Sequence, residues 1–232
     1  MTGRAARLLT SLLVLSASSR NVNPGPQAPP ARDPPTVTKD PTRGPYVTDP
    51  ALHWMLVTRH HEVEFAVACV IRAWNAYDAD AARKCYHRSA MAVWNGRRKD
   101  IDWEFERQLR EFDAAAGSRF SFEIRESLHP HVEFTLFETN RLLEALGLKR
   151  VTARWRYTVR EGQVVEEQLL NGDETFKATL QEFSRWGREQ RPQGWLFVSD
   201  AKGNARFDGK SAHGLVRLAR EWSRSRGSSP IK

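Results

Sequence analysis

The period of the apolar residues changes once along this chain, near residue 118, and that change limits the fold classes open to it. Before it, Val63, Val67, Val70, Ile71, Trp74 and Tyr77 recur at helical spacing. Asp78 or Asp80 then caps a short helix, Ala81–Tyr86, and Ala90–Trp94 reads as a strand stopped by the Asn95–Gly96 turn signal. Asp100 or Asp102 caps a third helix bearing Ile101, Phe105, Leu109 and Phe112, with Gly117 as its C′ residue. From Arg119 the period becomes two. Phe120, Phe122, Ile124 and Leu128 alternate with polar neighbours, and after a bend at His129–Pro130 so do Val132, Phe134 and Leu136. A short helix, Arg141–Leu146, leads to Gly147. Val151, Ala153, Trp155, Tyr157 and Val159 then mark a strand that turns at Glu161–Gly162–Gln163 into Val164–Leu170. Helices segregate to the front and mostly antiparallel strands to the back, so the class is α+β.

Beyond Leu170 the helical period returns. Asp173 caps a helix carrying Phe176, Leu180, Phe183 and Trp186 that stops before Pro192. Past Trp195–Val198 and the Asp208–Gly209 loop, Leu215, Leu218 and Trp222 form the stripe of a last helix. The layout is therefore a leader at 1–20, a tether at 21–50, an α+β domain at 51–170, a helical extension at 171–226 and a tail at 227–232. The two late helices are expected over the α+β domain or against another subunit.

The leader places Arg4 and Arg7 before the apolar run Leu8–Leu15 and the small residues Ala17, Ser18 and Ser19, the pattern of a secretory signal. Export is the expected localisation. Its Arg/Ser content also suits an organellar transit peptide, and an unprocessed cytoplasmic leader is the third reading. The run is too short to cross a bilayer, which takes about 20 apolar residues. Residues 22–50 hold nine of the chain's twelve prolines, which exclude helix or sheet interior and make a semi-extended tether.

The formal charge of +8 invites nucleic acid as a partner. The excess sits at the two ends, however, and no recognition-helix pattern, zinc spacing or RNP-like strand accompanies it, so nucleic acid is not the expected partner. Cys69 and Cys85 lie among apolar helix positions and read as buried free thiols; a disulfide between them is the alternative, conditional on an oxidising compartment.

The stretch NAYDADAARKCYHRSAMAVWNG resembles the second-helix and first-strand motif of SnoaL-like proteins, in the nuclear-transport-factor-2-like superfamily. GRRKDIDWEFERQL fits the third helix and VTARWRYTVREGQVVEEQLL the last hairpin, so the resemblance covers about residues 60–170. It implies a curved, mostly antiparallel sheet wrapped on the helices around a cone-shaped cavity. Members include isomerases, cyclases, dehydratases and epoxide hydrolases as well as non-enzymatic binding and association modules. Ketosteroid-isomerase-type members place a carboxylate base and an oxyanion-binding Tyr at positions that fall here near Trp94 and Val70. Both are apolar, which argues against that mechanism.

The expected role is a cone domain that binds a small apolar ligand or mediates association, including as a homodimer. The alternative is a cofactor-independent isomerase, cyclase or dehydratase. For the ligand, Trp74, Trp94, Trp155, Val70, Phe122 and Phe134 are the expected lining. For catalysis, His131 and Glu133 share one strand face, where such a pair can act as general base, and Tyr157 can donate a hydrogen bond. His87 is a further candidate for the cavity mouth. His60, His61 and Glu64 lack a third ligand, so no metal is expected. No dinucleotide or phosphate loop points to a cofactor.

Overall fold

A computed structural model describes residues 50–94 and 96–227, with side chains from His61 onward. The leader, the tether up to residue 49, Asn95 and the last five residues lie outside it, as does the side chain of His60.

Helix α1 (Pro50–Asn75) starts on a proline, which is tolerated at a first helical turn because its missing N–H would be unbonded there. It is longer than the 61–77 stripe that marks its buried part: Val63, Val67 and Val70 are fully covered and Trp74 nearly so. The chain reverses at Tyr77, whose φ is +58°. Asp78, rather than Asp80, caps α2 (Ala79–Lys84), accepting from the Ala81 N–H at 2.8 Å. Strand β1 (Tyr86–Trp94) begins four residues earlier than expected and pairs with β2 (Arg97–Asp100), a strand with no apolar residue to betray it. Asp102 caps α3 (Trp103–Ala116), and Gly117 ends it in the left-handed region at φ +71°.

Strands β3 (Arg119–Leu128) and β4 (His131–Thr139) form an antiparallel hairpin. Asn140 caps the single turn α4 (Arg141–Ala145). Then β5 (Val151–Arg160) and β6 (Gln163–Asn171) pair across Glu161 and Gly162. Both turn residues have positive φ, 52° and 71°, as a type I′ turn requires. The six strands make one curved, unclosed sheet in the order β2-β1-β6-β5-β4-β3. All neighbours are antiparallel except β1 and β6, which run parallel with Tyr86 opposite Val164.

One face of the sheet holds the core. Val132, Phe134 and Leu136 on β4, and Val151, Ala153, Trp155, Tyr157 and Val159 on β5, turn inward against α1. Asn75 ties that helix to the sheet edge: its amide donates to the Phe120 carbonyl and accepts from the Phe120 N–H, both at 2.8 Å. Cys69 and Cys85 form a disulfide joining α1 to the end of α2. This corrects the reading of two free thiols; the helix–turn–helix brings their Cα atoms to 5.9 Å, within bridging range.

Asp173 caps α5 (Glu174–Gln190) as expected. The stretch around Trp195 is helical, α6 (Pro192–Val198), and α7 (Gly209–Gly227) closes the described chain. These helices do not lie over the sheet. Helix α7 packs on α3 and α4, with α5 and α6 packed beside it. Phe207, just before α7, meets Phe112 of α3 edge to face at 5.1 Å. Gly187 is needed at the α5–α6 contact, because a Cβ there would overlap the Trp195 ring. Among the described residues no helix is long and apolar enough to cross a membrane.

Candidate functional site

The alternation of β4 and β5 decides where the candidate catalytic groups go. His131 and Glu133 do share a face, but it is the outer one, opposite Thr158 and Arg156 in the register. His131 is exposed, with Nδ1 at 3.1 Å from the Thr158 hydroxyl. Glu133 is covered by the arms of two half-exposed arginines, accepting from Arg156 Nε at 2.9 Å and from Arg154. Arg156's hydrogen bond, reinforced by Arg154's, holds the Glu133 carboxyl below its ordinary range, which makes it a poor base. Tyr157 is fully buried on the inner face. The sheet thus separates the three residues and does not bring them to one point.

On the inner face Tyr157 has other company. Its hydroxyl lies 3.2 Å from that of Tyr86 on β1, and Tyr86 donates to Glu167 Oε2 on β6 at 2.9 Å. Glu167 sits opposite Tyr157 on one side and Ala92 on the other, and all three polar side chains are at most 3% exposed. Aromatic rings run through this point edge to face: Phe122 to Phe134, Phe134 to Tyr157, Tyr157 to Tyr86, and Tyr86 to Trp103 at the start of α3. Such contacts contribute about 0.5–1.5 kcal/mol each beyond the area they bury.

Of the expected lining, Val70, Trp74, Phe134 and Trp155 are buried in the core, whereas Trp94 and Phe122 keep open surface. A side chain without accessible surface borders no space that a water can enter, so the interior is filled around Val70 and Phe134. The open space is at the edge. A cleft of about 380 Å³ lies between α2, the start of β1 and α3, with Tyr86 and Trp103 meeting at 5.4 Å in its wall and Arg83, His87, Arg88 and Gln163 around them. The Arg83 guanidinium stacks over Trp103 at 5.7 Å. His87 Nδ1 accepts from the Ser89 N–H at 3.2 Å, so the neutral ring carries its proton on Nε2, available as a donor.

A second buried polar group closes the other end of the inner face. Arg110 of α3 lies over the rings of Trp74 and Phe120, at 4.9 and 5.3 Å, with Nη1 2.9 Å from Asp113 Oδ2. Ser118 Oγ is 2.8 Å from Asp113 Oδ1 and 3.1 Å from Glu138 Oε1, which also accepts from Asn140 at 2.7 Å. Burial, with the nearby Asp113 charge, pushes Glu138 up to about 8, and burial raises Asp113 as well despite Arg110. Glu106, also buried, adds a third carboxylate beside Asp113, so a proton retained on Glu138 reduces the excess of negative charge around Arg110.

Sequence reasoning passed over Tyr86, Glu167, Asp113 and Arg110, and counted Glu138 only among the ionisable strand residues, with no role. Glu138 had a signal: it continues the inward series Val132, Phe134, Leu136. The others had none, because Tyr86 reads as a helix end and the two glutamates at 166–167 hide the β6 alternation.

No protein-family profile matches the chain, and no curated protein matches it. Solved structures do. An uncharacterised cystatin-fold protein from Novosphingobium aromaticivorans shares 15% identity over 47% of this chain and 97% of its own, with a TM-score of 0.37. A nuclear-transport-factor-2-like protein of unknown function from Cytophaga hutchinsonii shares 13% over 47% and 88%, at 0.35. SalBIII, described as an epoxide hydrolase/cyclase-like enzyme in salinomycin pyran-ring formation, shares 15% over 50% and 93%, at 0.38. The helix order and curved sheet give this chain the α+β architecture of the cystatin-like fold. Three further helices, α5 to α7, extend that architecture beyond the sheet.

Proposed function

We propose that this SnoaL-like domain binds a small, flat, largely apolar molecule bearing an acidic oxygen, in the cleft at Tyr86 and Trp103. The observation that carries the reading is the composition of that cleft: an aromatic wall within a basic rim of Arg83, Arg88 and His87. Its volume falls within the usual range of small-molecule sites, about 300–1,000 Å³. Stacking would supply most of the affinity, and the guanidinium groups would orient the acidic oxygen. The Tyr86–Glu167 hydrogen bond fixes the wall from behind. The alternative reading, an isomerase, cyclase or dehydratase, would use His131 or Glu133 on the outer face or Tyr157 on the inner one. The exposed Phe65 and Leu128 offer apolar surface for the homodimer reading. The Cys69–Cys85 bridge supports export to an oxidising compartment.

The test is native mass spectrometry of the purified protein for a retained ligand, followed by tryptophan-fluorescence titration with an aromatic carboxylate such as naphthoate. Wild type is expected to bind, with Trp103→Ala and Arg88→Gln each weakening binding about tenfold, the loss of one stacking or charge-assisted contact. Unchanged affinity in both variants would remove the cleft from the function.

A further inference from the structure

Helix α7 carries a stripe of basic residues on its outer side. His213, Arg217, Arg220 and Arg224 follow one another at intervals of four, three and four, so they share one face, and all four are exposed. Beside them α3 and α4 leave two adjoining clefts of about 250 and 450 Å³, both lined by Arg141, Arg220 and Arg224. Arg141 is held in place by the carbonyls that end α3, donating to Ala115 O at 2.6 Å and Ala116 O at 3.2 Å. Neither Arg217 nor Arg220 has a carboxylate partner among the described residues. Glu144 is the carboxylate in these linings, while Glu221 is already held by Arg191 at 3.0 Å.

The other flank of the stripe is apolar. Helix α6 packs against α7 through Gly214, close to Val198 and Phe197. It presents Leu196 and Phe197 to solvent with 69% and 66% of their surfaces open, two of the most exposed large apolar side chains described. Cationic side chains lying next to exposed Leu and Phe suit an anionic bilayer. The guanidinium groups meet lipid phosphates while the apolar pair enters the headgroup boundary. A nucleic-acid duplex offers phosphates but nothing for Leu196 and Phe197.

We propose that the α6–α7 face docks on a membrane surface rich in anionic phospholipid, holding the domain there peripherally. The test is co-sedimentation of the full chain with vesicles of phosphatidylcholine alone or mixed with phosphatidylglycerol, at low and at physiological salt. Binding is expected only with phosphatidylglycerol and is expected to fall with salt. Each basic residue at such a surface contributes about 1 kcal/mol, so the double variant Arg217→Gln/Arg220→Gln should bind at least tenfold more weakly. Leu196→Ser/Phe197→Ser should also weaken binding while leaving the salt dependence in place. The leader is present in every variant, so its own lipid affinity cancels. Equal sedimentation of wild type and both variants would overturn the proposal. So would duplex DNA displacing the protein from the vesicles, which would assign the stripe to nucleic acid.

Discussion

Replacing Arg110 with methionine is expected to lower the melting temperature by about 10 °C or more, read by circular dichroism at neutral pH. Methionine fills much of the same space beneath Trp74 and Phe120, so the loss is mainly electrostatic. Removing one partner of a buried ion pair costs about 3–5 kcal/mol, because the remaining charge is stranded. Here Asp113 and Glu138 are both left, and Glu106 nearby adds to the repulsion. Adding Glu138→Gln should restore part of the loss, since the amide mimics the protonated acid. The same group sets a pH dependence. Glu138 is raised in the folded state to about 8 from an ordinary value of 4.5. Its contribution is full below pH 4.5 and is lost as pH rises through about 8, where the native state must give up a proton that the unfolded chain has already released. Wild type should therefore lose stability between pH 5.5 and 8.5 relative to Glu138→Gln, by an amount on the order of a few kcal/mol. Parallel profiles for the two proteins would mean that Glu138 is ionised in the fold.

The second large effect is expected from the Cys69–Cys85 bridge. It closes a loop with a sequence separation of 16, for which restriction of the unfolded chain gives about 3 kcal/mol. Reduction, or the Cys69→Ser/Cys85→Ser variant, should lower the melting temperature by about 6–12 °C for a domain of this size. Cys69 is exposed on α1 and Cys85 is buried at the end of α2, and both helices are expected to keep their positions and the ligand cleft its shape. An unchanged melting temperature after reduction would show that the thiols are not joined in the isolated protein.

What could be read in the sequence was mostly local. Asp102, Gly117 and Asp173 mark helix ends because a cap is a short-range hydrogen bond, and the capping contacts fall on those residues. Phe134, Trp155 and Tyr157 fall on the inner face because strand alternation is likewise local. The parts that escaped depend on partners far along the chain. Arg97–Asp100 becomes a strand only because β1 is beside it, and its four charged residues carry no alternation of their own. The parallel β1–β6 pairing sets Tyr86 within reach of Glu167, and no spacing within either segment announces it. The candidate site was therefore less legible than the fold. His131 and Glu133 satisfied a rule about spacing, but which side of the sheet they took depended on where α1 packed.

The parallel pairing of β1 with β6 also orders the history of the molecule. The first strand cannot find its principal neighbour until α3, the β3–β4 hairpin and β5 have all been made. During synthesis β1 and its short companion β2 must wait on a chain that still lacks its central partner, with the edge that β6 will occupy left open. Assemblies dominated by such distant pairings form slowly and expose strand edges while they do. The charged run Arg97–Asp100 then has a use before the fold exists: it gives the waiting hairpin an outer edge that repels other strands.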